Sequence, residues 1–363
     1  MIKRANILNF IKKNIDSGKV NIIFTPKGVD SEFFLMNDLR KFLENNFDNC
    51  LISYTSAYFQ EFDLKLFNSF ITTNRKIFVL INDLSKYKNP LSIIEMFYGN
   101  ENINVIATTS ISIKRLAGKN ETDVRGRFNL CFYPPFLYGD ECNIDSSDSI
   151  KKLFELYFYD YKYCQLARQI YLFLLRNVGL NISYRDIYAN CGSGISLVTF
   201  VDVVNYLNDC GLFYIIPRKR LDSSEPMNYG YAFYPCRSQD ILSKELDAND
   251  EYRTKAYFDS MVVAKLLYDK CKIFKAFSFR RKMIGEKRVI VYSNDGFLIK
   301  KGNREVFLKT IYFDKDNTNF EMPFNFKGNI QKMLAFYNEK AAHFNESGIV
   351  KCFIKQILEK GVF

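Results

Sequence analysis

The sequence predicts an α/β chain in three parts: a parallel-sheet domain over residues 1–145, a winged helix-turn-helix over 146–240 and a small α/β domain over 241–363. Three observations predict it. The apolar runs Val20 to Phe24, Lys76 to Ile81 and Asn104 to Ala107 each end in a polar loop, as buried parallel strands do. Apolar residues then recur at helical spacing from Ile150 to Val178 and within Ser196 to Asp209, and two strand-like runs follow. From Lys272 onward the pattern turns to short alternating runs, which suit a mixed sheet.

In the first part, an amphipathic helix opening with Lys3 and Arg4 precedes the strand Val20 to Phe24. The loop Thr25-Pro26-Lys27-Gly28-Val29-Asp30-Ser31-Glu32 follows, and Phe33, Phe34 and Leu35 open a helical pattern. Strand, loop and helix have the outline of a phosphate-binding loop, in which glycines let backbone N–H groups close on a phosphate, a lysine neutralises its oxygens and a hydroxyl holds magnesium. Here Asp30 stands at the last glycine, Ser31 at the lysine and Glu32 at the hydroxyl, so two carboxylates occupy ground where a polyphosphate would dock. The second strand ends in Asn82-Asp83 and the third in Thr108-Thr109-Ser110. Gly126-Arg127 then precedes a strand over Phe128 to Phe132, followed by Pro135-Phe136-Leu137-Tyr138-Gly139-Asp140.

On these motifs, residues 2 to 141 resemble the predicted AAA+ ATPases of bacteria and archaea that carry a C-terminal DUF4143-type region. The family loop reads G-P-R-x-x-G-K-T, and Pro26, the basic Lys27 and Val29 fit it. The family's acidic D-E pair aligns with Asn82-Asp83, its T-G-S sensor with Thr108-Thr109-Ser110, and its G-R pair with Gly126-Arg127. The resemblance implies an AAA+ P-loop-like sheet whose framework is kept and whose chemistry is degraded. Magnesium and the attacking water need a carboxylate pair at the strand end; Asn82 has lost the charge, and Asp83 is one methylene shorter than the family's glutamate. Arg127 aligns with an arginine that can face a neighbouring subunit's phosphate, and a structural ion pair is the alternative.

The second part is expected to begin after the acidic stretch Asp140 to Asp148. Ser183 is placed to cap a short helix starting near Tyr184. The helix Ser196 to Asp209 would be the recognition helix of the motif, yet it has no Lys or Arg and carries Asp202 and Asp209, which phosphates repel. A hairpin of Leu212 to Ile216 and Tyr229 to Tyr234 is expected to hold Arg218-Lys219-Arg220 at its tip, where they would contact a phosphate backbone without reading sequence.

The third part is expected to contain a helix over Ala256 to Cys271, strands over Lys272 to Phe279, Lys287 to Tyr292, Gly296 to Lys300 and Val306 to Phe313, and an amphipathic helical tail from Asn329 broken at Gly348. The family resemblance implies a restriction-endonuclease-like core. Lys309 is a residual lysine for such a site, but Ile290 and Phe307 stand where its magnesium-binding acids belong. Residues 270–309 are strongly basic, with Arg280-Arg281-Lys282, Lys287-Arg288 and Lys300-Lys301 interleaved with Phe274, Phe277 and Phe279. Basic and aromatic residues in alternation suit a polyanion.

Composition limits the remaining chemistry. Of 363 residues 48% are hydrophobic, which excludes global disorder, and the net charge is +11. One histidine leaves little material for a zinc site or a histidine-based triad. The nine cysteines are scattered without a C-x-x-C pair and read as core filler, Cys131 between Leu130 and Phe132 being typical. With no long apolar span and no signal-peptide pattern, a cytoplasmic location without membrane contact is expected. The first functional expectation is a pseudo-ATPase that binds or scaffolds, associated with nucleic acid and requiring no cofactor, within an oligomer or larger assembly. The alternatives are an enzyme that hydrolyses ATP with Mg2+ through a rearranged site using Asp83 and Lys27, and a subunit whose basic surface meets an acidic protein partner.

Overall fold

The computed structural model describes residues 2–29, 31–56, 75–100, 102–118, 126–133, 149–192, 194–221, 226–246, 248–284, 287–311, 330–336 and 349–363, with the backbone alone at 2–6, 149, 226–229, 278–284, 287–295 and 351. The chain divides into two compact units, Met1–Pro135 with Asp209–Leu212, and Phe136–Asn208 with Phe213–Phe363.

The first unit is built on five parallel strands: β1 (Val20–Phe24), β2 (Cys50–Ser56), β3 (Lys76–Asn82), β4 (Ile103–Thr109) and β5 (Phe128–Phe132), in the order β2-β3-β4-β1-β5. Both faces of the sheet are covered, so the central strands are mostly apolar, with Asn21 of β1 and Asn104 of β4 as buried polar exceptions. One face sends Ile22, Val79, Ile81 and Val105 against Ile94 and Phe97 of helix Pro90–Phe97. The other sends Ile23, Phe78, Leu80 and Ile106 against Ile7 and Ile11 of helix Ile2–Asn14 and against Phe34, Leu39 and Leu43. Each such side chain contributes about 1.5–3 kcal/mol by leaving water. The residues after the β1 loop form one turn of α-helix (Ser31–Phe33), a π-helical stretch (Phe34–Leu39) and a further α-helix (Arg40–Asn46). Phe34 is fully buried and meets Tyr133 edge-on at 5.3 Å, while Phe33 is exposed.

The second unit opens with helices Ser149–Tyr157, Cys164–Leu175, Tyr184–Cys191 and Leu197–Asp209. The third starts at a full capping box: Ser183 accepts from the Asp186 N–H, and the Asp186 carboxylate accepts from the Ser183 N–H. Strands β6 (Phe213–Arg220) and β7 (Pro226–Pro235) pair antiparallel. Helix Asp250–Tyr268 follows, then β8 (Lys272–Ile284), β9 (Lys287–Lys301), β10 (Arg304–Ile311), β11 (Gln331–Phe336), β12 (Ile349–Phe353) and helix Ile354–Lys360. The seven strands form one mixed sheet in the order β12-β11-β10-β9-β8-β6-β7.

Several expectations are corrected here. Arg218, Lys219 and Arg220 are not at a hairpin tip: β6 runs on through Arg220 and pairs in parallel with Lys275, Ala276 and Phe277 of β8. Because neighbours on a strand point to opposite faces, the trio is split. Arg218 lies 4.2 Å above the Phe277 ring and Lys219 5.6 Å above the Phe274 ring, and both are buried. Since β6 joins the hairpin to β8, the boundary expected near residue 240 does not separate two sheets. The two strands expected over 287–300 are one strand, β9. The tail from 329 is not all helix, because Met333, Leu334, Ala335 and Phe336 are all buried in β11 between β10 and β12. A run apolar on both sides of a strand leaves no alternation to be read. Phe307 is fully buried and faces Leu298 across β9 and β10, and Ile290 pairs with Arg281. The side chains of Arg280, Arg281 and Lys282 lie outside the described residues.

Candidate functional site

Because β3, β4 and β1 are consecutive neighbours, their C-terminal ends bring Asn82-Asp83, Thr108-Thr109-Ser110 and the loop from Thr25 together. In open α/β sheets this is the edge where ligands bind. Thr25, Ser31, Asn82, Asp83, Thr108 and Ser110 therefore share one edge, where hydrogen bonds set what each does, while Arg127, before β5, lies at the other end of the strands.

The loop is closed by its own peptide groups. The Thr25 N–H donates to the Thr109 carbonyl at 2.9 Å, Val29 N–H to the Pro26 carbonyl at 3.1 Å and Ser31 N–H to the Val29 carbonyl at 2.9 Å. The Lys27 N–H donates at 2.9 Å to the carbonyl of Cys210, one of the four residues of 209–212 that belong to this unit. Gly28 has φ +82°, a backbone state only glycine adopts at no cost, which lets the chain turn back on Pro26. A phosphate-binding loop needs such N–H groups aimed at its ligand.

Asn82 and Ser31 form a neutral pair. Asn82 Oδ1 accepts from Ser31 Oγ at 2.9 Å and from Thr108 Oγ1 at 3.2 Å, and Thr108 Oγ1 in turn accepts from the Asp83 N–H at 2.9 Å. Glu32 is exposed at the helix start, and Asp30 lies outside the described residues. Tyr54 and Ser56, at the end of β2, were not singled out in the sequence because β2 has no distinctive apolar pattern. Tyr54 Oη is buried near Glu32, Ser56 and Asn82 without hydrogen-bond geometry to any of them; burial first, then the Glu32 carboxylate, pushes its phenol pKa up.

Asp83 is held more tightly. Its Oδ1 accepts from the Ser85 N–H at 3.2 Å, Ser85 Oγ at 2.6 Å and the Ser110 N–H at 3.0 Å, and its Oδ2 accepts from Ser110 Oγ at 2.8 Å. It caps the short 3-10 turn Leu84–Lys86 from a left-handed backbone, φ 55° and ψ 80°, and is 8% exposed. Asp tolerates this conformation because its side chain bonds locally. Arg127 makes an ion pair with Glu95 at 3.2 Å within its own unit and lies 5.8 Å from the Tyr98 ring centroid. Among the described residues, no three or more His, Cys, Asp or Glu side chains are grouped to hold a metal, and no helix is long and apolar enough to cross a membrane.

No family model matches the chain, and no curated protein matches it. Solved structures do show similarity. A chain of Drosophila ORC bound to AT-rich DNA and Cdc6 matches with 13% identity over 69% of this chain and 92% of that one, TM-score 0.25. The Thermotoga maritima RuvB Holliday junction branch migration motor matches with 11% identity over 59% and 89%, TM-score 0.27. Saccharomyces cerevisiae RIF2 matches with 16% identity over 56% and 69%, TM-score 0.25. Superpositions this loose carry no chemistry across, and the function is read from this chain's own residues.

Proposed function

We propose that this chain is an AAA+-type protein that binds or scaffolds without turning over nucleotide, and that its partner is a polyanion, nucleic acid first. The observation that carries the reading is Asp83. A water-activating carboxylate needs an oxygen free to face the water, and here four donors from Ser85 and Ser110 occupy both oxygens. The rest of the constellation agrees with it. Asn82 offers no charge to magnesium and is engaged by Ser31 and Thr108, while the N–H groups of Lys27, Val29 and Ser31 are spent on carbonyls. These residues do not suit a magnesium–triphosphate.

The polyanion half of the reading rests on the +11 charge and its concentration in residues 270–309. A chain that has given up nucleotide turnover can still use the sheet as a rigid frame for such a surface. The test is a melting curve with and without Mg-ATP, together with a phosphate-release assay. A ligand at a hundredfold excess over its Kd stabilises by about 2.7 kcal/mol, a shift of several degrees. An unchanged melting temperature and no phosphate release are expected. A rise of several degrees, or release above background, would restore the nucleotide-hydrolysing alternative through Asp83 and Lys27.

A further inference from the structure

The mixed sheet gathers lysines on one of its faces. On β8, Lys272, Phe274 and Ala276 share a face, and across the strand pair Lys300 faces Lys272 and Leu298 faces Phe274 on β9. On the other side Lys219 of β6 stands opposite Ala276. The side chains converge: the ammonium groups of Lys219 and Lys272 lie 5.6 and 5.3 Å from the centroid of the same Phe274 ring. Phe274 is itself 4% exposed, within an apolar patch of Leu221, Ala276, Leu298 and Phe307. Lys300 forms an ion pair with Glu305, its neighbour across β9 and β10. Among the described residues, Glu305 is the one carboxylate ion-paired within this group of three ammoniums. Burial, then the charges of Lys219 and Lys272, pull the Lys300 pKa below the ordinary lysine value.

Like charges directly opposite each other across an antiparallel pair are destabilising, and the Lys272–Lys300 pair is such a case. Lys219, 7% exposed as a residue, adds a third cation beside the other two. An anion seated among the three would relieve the repulsion, and a phosphate, with several oxygens, can accept charge-assisted hydrogen bonds from more than one ammonium at once. Strands hold the three stems in place, so little ordering is left to be done on binding. The Phe274 ring holds two of the cations by its negative face.

We infer that Lys219, Lys272 and Lys300 form a binding site for a phosphate group, with Phe274 as its floor. This rests in part on the polyanion half of the proposed function: the phosphate is one of a nucleic-acid backbone, and a free phosphate or pyrophosphate is the other source of the same chemistry. Such a site positions a backbone and reads no sequence.

The test uses the full chain and two variants, Lys272→Gln, which removes an exposed cation, and Lys219→Met, which keeps the buried stem. Binding of a fluorescent duplex of arbitrary sequence is followed by anisotropy across a salt series, and inorganic pyrophosphate is titrated by calorimetry. Wild type is expected to bind the duplex, and Lys272→Gln to lower the log–log salt slope by about 0.9, the loss of one phosphate contact. Pyrophosphate binding that weakens in the variants while duplex binding does not would leave the site standing with a free anion as its ligand. A wild-type chain that binds pyrophosphate at these lysines but no duplex would overturn the polyanion reading and keep the site. Duplex and pyrophosphate binding that are both unchanged in the two folded variants overturn the site alone, and wild type that binds neither overturns both.

Discussion

Replacing Asp83 by alanine separates a structural carboxylate from a catalytic one. Removing the side chain leaves the Ser110 N–H, accepted at 3.0 Å, without its acceptor in a buried place, while the half-buried Ser85 N–H, accepted at 3.2 Å, can turn to water. Orphaned buried donors cost about 1–3 kcal/mol each. The two serine hydroxyls, 3.1 Å apart, can turn to each other and recover part of what they lose. Alanine must also hold the left-handed backbone at φ 55° without the local bonds that let Asp do so, at a further cost of about 1 kcal/mol. With one buried donor orphaned, the sum is about 2–4 kcal/mol, a large part of the 5–15 kcal/mol that holds a typical domain together. Urea unfolding followed by circular dichroism reads it as a lower midpoint at an unchanged m-value. Asp83→Asn should fall between, since an amide oxygen at the Oδ1 place keeps the Ser85 and Ser110 N–H donors and the new NH2 group meets the Ser110 hydroxyl, which can turn to accept. A spare catalytic carboxylate would behave differently, because such groups are held under strain and their removal leaves stability level or raises it. A loss below about 1 kcal/mol in Asp83→Ala would therefore refute the structural reading of Asp83, and with it the main support for a chain without turnover.

Two further outcomes are expected. Ser183→Ala should cost about 0.5–2 kcal/mol by removing the cap of helix Tyr184–Cys191. The Ser183 N–H, and then its hydroxyl, lower the Asp186 pKa; a depressed carboxylate stabilises above its unfolded pKa of about 3.9 and loses that contribution as pH falls through the folded value. An NMR titration should find Asp186 returned toward the ordinary carboxylate value in Ser183→Ala, and an unmoved titration would remove the cap from the account. Arg237→Ala should cost about 3–5 kcal/mol in urea unfolding, because Asp240, fully buried and accepting from the Tyr171 hydroxyl at 2.8 Å, would lose its 3.2 Å ion pair. A cost near 1 kcal/mol would mean that water reaches Asp240.

The sequence by itself determined the parallel strands that are buried on both faces. Val20–Phe24 and Phe128–Phe132 appear with the expected bounds, and Lys76–Asn82 and Ile103–Thr109 extend the expected runs by a residue or two at an end; the inner strands, covered on both sides, are mostly apolar, whereas Phe128–Phe132 is an edge strand with Leu130 and Phe132 exposed. It also determined the Ser183 cap, whose chemistry is local, and it placed Thr25, Asn82, Asp83 and Thr108 at one edge, since parallel strands end together. Only the tertiary structure decided what those side chains do there. That Ser31 bonds to Asn82 and that Ser110 closes on Asp83 depends on residues 51 and 27 positions apart, a separation no local pattern encodes. The basic residues show the same limit most plainly. Arg218-Lys219-Arg220 read as an exposed tip because charge favours water, yet β6 continues through them into a seven-stranded sheet, where alternation sends Arg218 to Phe277 on one face and Lys219 to Lys272, Lys300 and Phe274 on the other. Long aliphatic stems lying on aromatic rings let cations be buried, and whether a ring waits beneath them is a fact of strand order that composition does not contain.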